Sequence, residues 1–435
     1  MQAPRWPALL NRLCANDRLW IFSAAAFSRI SNFITNVFLA RYGGPAVLGA
    51  YSATLSTAST VVQPVVWSLS TSATLETRCA LDANARRAVT AAHVYWSLLI
   101  AGICGIAFVA LQYGTDISGD SSAHGTLGTL TGLIVVVSVL LTAALQGALH
   151  GAGVYKPVAA RMIAVAFASV LVAVPAVLHL KLVGALAALS LQYVLTPAVL
   201  ARLASPSARQ RHRFTQAFGA ARVQLIRSVP NAVATFISSG THWLATIFLV
   251  ERWYGIAGVG VFSVGASWLT IELMAVTAWG GLSLRTISEA QASSAHDFRL
   301  AIRRVLMKEV CFTGAIALVV CLCAVPLARV YGMANTPLPA ILRLNSLTAV
   351  AMAAAITCER SMFCLGQQRL WLWSRVIGGL LMLGLARWLL PIGLEYGAVA
   401  LFAGQAGTVA LCALHLWCGG WQPRSDRPVP RWTGG

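Results

Sequence analysis

Residues 127–149 read LGTLTGLIVVVSVLLTAALQGAL, a stretch without a single charged side chain. An α-helix of this length spans about 35 Å, which exceeds the roughly 30 Å hydrocarbon core of a bilayer. Similar apolar runs recur along nearly the whole chain of 435 residues, of which 58% are hydrophobic and 10% are charged. Soluble domains carry about 25% charged residues. The composition therefore predicts a polytopic membrane protein.

The apolar runs predict an all-α integral membrane protein with twelve transmembrane helices. Each run is continuously apolar rather than alternating, which favours helices over the strands of a membrane barrel. The twelve predicted helices span residues 18–40, 45–74, 89–113, 127–149, 156–178, 183–203, 224–250, 256–283, 307–330, 340–363, 370–391 and 396–419.

The distribution of Lys and Arg predicts the orientation. With twelve helices, one side receives both termini and the loops near 75–88, 150–161, 202–227, 285–308 and 360–375, which together carry 25 of the 32 Lys and Arg residues. The opposite side receives five, and its loop containing Asp116 and Asp120 has none. The positive-inside rule then predicts that both termini are cytoplasmic. Because the positive charge lies in short loops between apolar helices, we expect no nucleic-acid partner.

The chain contains a weak internal duplication. A shift of 211 or 213 residues superimposes Gly44 on Gly255, Gly49 on Gly260, Gly153 on Gly366 and Gln192 on Gln405. Several matches in one order at nearly one offset indicate a structural repeat. We therefore predict two parallel six-helix lobes around a central cavity, because six helices per repeat give both halves the same orientation. The predicted lobes are residues 1–204 and 223–435, joined by a basic cytoplasmic linker at 205–222.

Polar residues form stripes on four of the predicted helices, at the three- and four-residue spacing of one helix face. The stripes consist of Arg29, Asn32 and Asn36 on helix 1, Ser52, Ser56, Ser59 and Gln63 on helix 2, Asn231, Thr235, Ser238 and His242 on helix 7, and Ser263, Ser267 and Thr270 on helix 8. These helices occupy equivalent positions in the two halves. We predict that the stripes face each other and line a water-accessible, substrate-binding cavity.

A structural interpretation of the stripes is also open, because Ser and Thr commonly support close helix packing in membranes. Arg29 is harder to explain in this way. An arginine at a helix centre that has neither water nor a partner raises the free energy of membrane insertion by about 2.5–3.5 kcal/mol. Its fixed charge and forked N–H donors suit a phosphate group, which predicts an anionic substrate.

Glu272 is predicted to be the one carboxylate deep within a membrane-spanning helix. Its position on helix 8 is about 200° around from Thr270, at 100° per residue, so we expect it to point into the second lobe. Two roles remain open: a structural pair with Arg387 or His242, or an H⁺- or Na⁺-binding site that couples transport to an ion gradient.

The chain lacks the motifs of the common catalytic and cofactor sites. It contains no GxxxxGK[ST], HExxH or GxSxG motif, and its ten cysteines include no CxxC pair. We therefore expect no enzyme activity, no resident cofactor and no metal site, and no ATP-driven pump in this chain.

The turn FLARYGGPAVLGAYS (38–52), its counterpart IFLVERWYGIAGVGVFSVGAS (247–267), and SVPNAVATFISSGTHWL (228–244) carry a family resemblance. Together with the Gly-Ala starts of helices 6 and 12, they resemble the Wzx-type polysaccharide flippases. That family belongs to the multidrug, oligosaccharidyl-lipid and polysaccharide exporter (MOP) superfamily. The resemblance covers residues 20–418.

The resemblance implies a flippase that moves undecaprenyl-diphosphate-linked oligosaccharides across the bacterial inner membrane by alternating access. Its product would enter O-antigen, capsule or exopolysaccharide assembly, with membrane lipids around it and with polysaccharide polymerase and chain-length proteins as further partners. The two extra helices of the lipid II flippase branch are missing, which makes a peptidoglycan precursor the less favoured cargo.

Two other functions remain open. A cation-coupled multidrug exporter of the same superfamily would be expected to carry carboxylates in the cavity. A membrane-embedded enzyme of envelope glycans would be expected to carry a large external loop or a surface cluster of His, Asp and Arg.

Overall fold

The computed structural model describes residues 17–114, 123–204 and 211–417, and every regular element within them is helical. The loop with Asp116 and Asp120, the first part of the predicted linker and both chain ends lie outside the described residues.

Five elements form the first half of the chain, and their bounds follow the apolar runs. They are α1 (Asp17–Phe38, continued by a π-helical turn, Leu39–Gly43), α2 (Pro45–Cys79), α3 (Ala83–Gly114), α4 (Ala123–Gly151) and α5 (Tyr155–Ala204). The last of these is two helices, because the backbone leaves the helical region at Lys181 with φ 48° and ψ −118°.

The second half begins with α6 (Arg211–Arg227) and continues through nine further helices. These are α7 (Val229–Trp243, followed by a π-helical turn, Leu244–Phe248), α8 (Leu249–Glu272), α9 (Met274–Ala278), α10 (Gly280–Ser293), α11 (Ala295–Leu322), α12 (Ala324–Val330), α13 (Leu338–Cys364), α14 (Gln368–Leu389) and α15 (Tyr396–Trp417). The backbone of α8 turns at Gly255, where φ is 65°.

The described residues contain eight helical spans that are long and apolar enough to cross a membrane. Two of them, Tyr155–Ala204 and Val229–Glu272, reverse at Lys181 and Gly255 and each supply two crossings. The polar stripes lower the hydropathy of α1 and α2, but with 22 and 35 residues both are long enough to cross. The chain is thus a multi-pass membrane protein with the predicted twelve helices in two lobes.

Four glycines that the duplication pairs have the same unusual backbone conformation. Gly44 and Gly255 have φ of 88° and 65°, and Gly153 and Gly366 have φ of 77° and 69°. L-amino acids with side chains rarely adopt this region, so each pair marks the same tight turn in each half. The repeat detected in the sequence is therefore present in the backbone.

The predicted linker contains a helix that begins at Arg211. Its apolar residues Phe214, Ala217 and Phe218 pack against Val89 and Ala92 of α3. The indole of Trp96 stacks on Phe218 at 4.6 Å between ring centroids, and its N–H donates to the Phe218 carbonyl at 3.1 Å. Because apolar residues recur at one helical face, this segment is a packed helix rather than a loop.

The two lobes contact each other closely where α2 begins and where α8 continues after its turn at Gly255. A Cβ added to Gly49 would overlap the carbonyl of Ile256, and one added to Gly260 would overlap the carbonyl of Pro45. These equivalent glycines therefore let the two backbones meet across the pseudo-twofold axis. Elsewhere between the lobes, the buried indole of Trp243 in the second lobe donates to the Thr57 hydroxyl of the first lobe at 2.9 Å.

Candidate functional site

A cavity of about 450 Å³ lies between the two lobes. Its walls come mainly from α1 and α2 of the first lobe and from α7 and α8 of the second. Thirteen of the fourteen residues predicted to line it do so: Arg29, Asn32, Asn36, Ser52, Ser56, Ser59, Gln63, Thr235, Ser238, His242, Ser263, Ser267 and Thr270. That these residues bind a substrate stays a prediction.

Asn231 is the predicted residue that the structure leaves outside the cavity lining. It lies in the first turn of α7, which begins at Val229. A displacement of four residues from Thr235 corresponds to about 6 Å along the helix axis, so Asn231 lies one turn further from the cavity centre. Its backbone carbonyl accepts the Thr235 hydroxyl at 3.0 Å.

Several of the cavity hydroxyls are anchored to their own helices. Ser263 donates to the Gly260 carbonyl, Ser267 to the Ser263 carbonyl and Thr270 to the Ser267 carbonyl, at 2.7–2.9 Å. A hydroxyl has two lone pairs besides its single O–H, so these oxygens can still accept from a ligand. A hydrogen bond across the cavity also joins the lobes, since the Asn36 amide donates to Ser267 at 3.2 Å.

Arg29 gives the cavity its fixed positive charge. The residue is exposed on the cavity wall, and within the described part of the chain it forms no ion pair or hydrogen bond. The described residues that line the cavity include no Asp or Glu. The other side chains that line it are neutral hydroxyls, carboxamides, apolar groups and the imidazole of His242. The site is therefore suited to an anionic or neutral polar ligand.

Several lining residues escaped the sequence analysis. They include the aromatic rings of Phe33, Tyr51 and Phe262, together with Met352 and Gln405. The apolar members have the composition of ordinary core, so periodicity alone does not distinguish them. Gln405 was visible only as the repeat partner of Gln192, and its place on the cavity depends on how α15 packs.

A second cavity of about 230 Å³ lies inside the first lobe. Its polar lining includes Ser28, Thr142, Gln146, Gln192, Tyr193 and Thr196. Asn32 lines both cavities, so the two spaces adjoin each other at α1. The combined space therefore extends the polar surface of the site into the first lobe.

Glu272 does not pair with Arg387 or His242, which corrects that part of the sequence analysis. Its Oε1 accepts the Ser346 hydroxyl of α13 at 2.7 Å, and its side chain is buried in the second lobe. Arg387 instead lies 5.9 Å from the ring of Trp253, near the turn at Gly255. Glu272 lies seventeen residues after Gly255, which is about 25 Å along the axis of α8. The charges of Glu272 and Arg387 therefore lie at different depths in the membrane.

A second buried carboxylate, Glu309, was missed because the apolar run of its helix begins only two residues before it. Its Oε1 accepts from Ser283 at 2.6 Å and pairs with Arg360 at 2.6 Å, and its Oε2 accepts from Thr357 at 2.8 Å. Arg360 also donates to the Val276 carbonyl at 2.9 Å. This satisfied network ties α9, α10, α11 and α13 together.

No family model matches the sequence, and no curated protein matches it. Solved structures match its fold. The inward-facing conformation of a multidrug resistance MATE family transporter of the MOP superfamily has a TM-score of 0.72 at 13% identity, covering 92% of this chain and 97% of that one. A eukaryotic MATE transporter has a TM-score of 0.69 at 14% identity, covering 93% and 96%.

Two further structures bear on the conformation and the cavity. An outward-facing MATE family transporter gives a TM-score of 0.64 at 13% identity, covering 93% of this chain and 95% of that one. A MOP superfamily transporter from Pyrococcus furiosus, for which reverse polarity of the binding pocket suggests a different function, gives a TM-score of 0.64 at 13% identity, covering 91% of this chain and 93% of that one. At these identities the likeness shows the fold alone, which this chain shares with those transporters.

Proposed function

We propose that this protein is a membrane transporter that works by alternating access of its two lobes. The central observation is a polar cavity between the lobes that is closed at one end by the contact of Gly49 with Gly260. Separation at this contact and closure at the opposite end would move the cavity from one side of the membrane to the other. The similarity to inward- and outward-facing transporters of the same fold supports this cycle.

We further propose that the cargo is an anionic glycolipid, namely an undecaprenyl-diphosphate-linked oligosaccharide of O-antigen, capsule or exopolysaccharide assembly. Arg29 would bind the diphosphate through charge-assisted hydrogen bonds. The hydroxyls and carboxamides of the stripes would bind the sugars, while the lipid tail stays in the bilayer. On this proposal the protein works in the bacterial inner membrane with both termini cytoplasmic, beside polymerase and chain-length proteins.

A cation-coupled multidrug exporter is the second candidate, and the comparisons favour it. Neighbours of this fold are named as multidrug transporters, and Glu272 offers one buried oxygen, Oε2, that has no hydrogen-bond partner among the described residues. The charge of the cavity favours the first candidate, because a site for cationic drugs is expected to present carboxylates. The neighbours are transporters, so a glycan enzyme is the least supported of the three.

The cargo proposal is tested in cells that depend on this protein for surface glycan assembly. We expect Arg29→Ala to block assembly and to leave lipid-linked repeat units in the cytoplasmic leaflet. Arg343→Ala is the matched control, because Arg343 is exposed and lies outside the cavity lining. Normal assembly by Arg29→Ala at equal protein level would count against an anion-binding role.

A further inference from the structure

A buried histidine in the first lobe contacts a serine and a glutamate of the neighbouring helix. His93 of α3 is 0% exposed, and its Nε2 lies 3.1 Å from the Ser72 Oγ of α2. Ser72 lies 3.1 Å from Oε1 of Glu76, which is 3.9 Å from the imidazole Nε2. The three side chains therefore form a chain of two contacts, from imidazole through hydroxyl to carboxylate.

The hydrogen bonds of this chain can be counted. The other ring nitrogen of His93, Nδ1, lies 3.0 Å from the Val89 carbonyl, which can only accept, so Nδ1 carries a hydrogen. A neutral His93 then has a bare lone pair at Nε2. The Ser72 hydroxyl has a single hydrogen, yet both Nε2 and an ionised Glu76 need one from it. With neutral histidine and ionised glutamate, one of the two contacts lacks a hydrogen.

One additional proton completes both contacts. If the proton binds Nε2 of His93, the imidazolium donates to Ser72 and Ser72 donates to Glu76. On Oε1 of Glu76 it lets the carboxyl donate to Ser72 while Ser72 donates to His93. His93 and Ser72 are buried, so an incomplete contact between them is costly, and the geometry favours the state that holds this proton.

The equivalent place in the second lobe is built differently. Ser283 is Ser72 shifted by 211 residues, the offset of the internal duplication, and it donates to the buried carboxylate of Glu309. Glu309 also receives hydrogens from Thr357 and from Arg360, whose guanidinium is a fixed cation. That cluster is complete with an ionised carboxylate and needs no additional proton. The first-lobe cluster has no such fixed cation in ion-pair contact within the described residues.

Other charged or titratable groups occur on the helices packed around His93. Among the side chains that the structure describes, those at this end of the lobe include Arg78 on α2, Arg86 and Arg87 on α3, His150 on α4 and Arg222 on α6. Within the described residues, His93 forms an ion-pair contact with Glu76 and with none of these other groups. The Glu76 side chain is 17% exposed, so a proton can exchange between the cluster and water.

We propose that His93, Ser72 and Glu76 form a proton-binding site, and that loading and release of its proton couple transport to a proton gradient. Two of the three residues lie on α2, the helix that also carries Ser52, Ser56, Ser59 and Gln63 of the cavity and Gly49 of the lobe contact. A change in the His93–Glu76 contact therefore acts on the helix that must move. The coupling role rests on the proposed transport function, whereas the proton site does not.

The site is tested first without any substrate, on the full-length protein in lipid nanodiscs at neutral pH. Nitrogen-15 spectra of the histidines, with His93→Gln identifying the His93 signals, are combined with infrared spectra of Glu76, identified by Glu76→Gln. We expect either an imidazolium at His93 or a protonated carboxyl at Glu76. We expect Ser72→Ala to remove it and Ser283→Ala to leave it. A neutral His93 beside an ionised Glu76 in the intact protein would overturn the site.

The coupling role is tested in proteoliposomes with a fluorescent polyprenyl-diphosphate oligosaccharide. We expect an imposed pH gradient to change the initial rate of the intact protein and of Ser283→Ala several-fold. His93→Gln should transport at one rate with and without the gradient. A His93→Gln variant that keeps the several-fold response would overturn the coupling. Absence of transport by every form, with the spectroscopic proton present, would instead refute the proposed function and leave the site.

Discussion

Arg29 is a charged residue that is costly to insert into the membrane, and its side chain is exposed to the cavity. A guanidinium within a membrane-spanning helix is retained where it reaches water or a counter-charge. The described lining of the cavity supplies no carboxylate to Arg29, so on the proposed function the ligand provides the missing counter-charge. This accounts for a single cation on a wall that otherwise consists of neutral polar and apolar groups.

We expect Arg29→Ala to weaken binding of a diphosphate ligand strongly. Hydrogen bonds to charged groups contribute about 1.5–3 kcal/mol, which corresponds to roughly 10- to 150-fold in the dissociation constant. Arg29→Lys should recover only part of this loss, because an ammonium cannot make the bidentate contact of a guanidinium. The measurement is calorimetric titration of purified variants, with Arg343→Ala as control. Equal affinities for Arg29→Ala and the control would contradict the role.

Glu272 has a partner that does not require a charge on the carboxyl. The Ser346 hydroxyl donates to its Oε1 at 2.7 Å, and the amide oxygen of a glutamine could accept the same bond. If the carboxyl is structural, Glu272→Gln should transport at the rate of the intact protein with the same dependence on ion gradients, measured in proteoliposomes. Loss of that dependence would instead make Glu272 the coupling residue and would favour the exporter.

At the scale of helices, the contact of α2 with α8 depends on two glycines. A methyl group at either position would overlap backbone of the other lobe, which a flexible side chain cannot relieve. Overpacking of this kind costs about 1–3 kcal/mol. The closed end of the cavity is therefore held by the shape of the two backbones.

We expect Gly49→Ala to part the lobes at this end. Spin labels on the start of α2 and on the part of α8 that follows Gly255 should report a longer distance than in the unsubstituted protein. Gly102→Ala is the control, because a Cβ there meets nothing within 4 Å. An unchanged distance in Gly49→Ala would show that the contact does not hold the cavity closed.

The Glu309 network is predicted to stabilise the second lobe. Removal of one partner from a buried ion pair costs about 3–5 kcal/mol, because the other charge is left unpaired. Glu309→Ala should therefore lower the thermal midpoint markedly. The combined change of Glu309 and Arg360 to leucine should restore much of it, because no unpaired charge remains. A thermal midpoint unchanged in Glu309→Ala would contradict this account.

The sequence was sufficient for the helices, the repeat and most of the cavity. Spacing along a helix determines which residues share a face, and this identified Ser52, Ser56, Ser59 and Gln63 together. Spacing within one helix does not determine which other helix it meets. For this reason the sequence paired Gly49 with Gly260 as equivalents without showing that they touch.

The contacts of the buried charged residues were the part of the structure that the sequence predicted least well. Glu309 lies between a basic segment and an apolar run, so hydropathy placed it near a helix end rather than in the core. Arg387 and Glu272 were paired because both lie in apolar helices, although their depths differ. Depth depends on where each helix turns, and the turn at Gly255 became visible only in the structure.

At the scale of the whole molecule, the two lobes share a fold but differ in chemistry. The first lobe carries Arg29, the second cavity and the cluster at His93, whereas the second carries the fixed ion pair of Glu309 with Arg360. A transporter needs such a difference if one lobe is to respond to a ligand or a proton while the other remains rigid. The repeat provides the symmetric frame, and these residues provide the asymmetry.

The orientation of this frame is a prediction that reporters can test. Tags at residues 120 and 210, both outside the described residues, should report opposite sides of the membrane, with residue 210 cytoplasmic. The expectation follows from the 25 Lys and Arg residues on one side. Tags that report the same side would overturn the twelve-helix topology.

The most direct test of the transport account compares two cargoes in one set of proteoliposomes. The initial rates of translocation are measured for a polyprenyl-diphosphate oligosaccharide and for a lipophilic cationic dye. The account predicts that the diphosphate crosses faster in vesicles containing the protein than in empty vesicles, that Arg29→Ala abolishes this difference, and that the dye is not carried. Translocation of the dye without the diphosphate would contradict the anionic cargo and establish the exporter in its place.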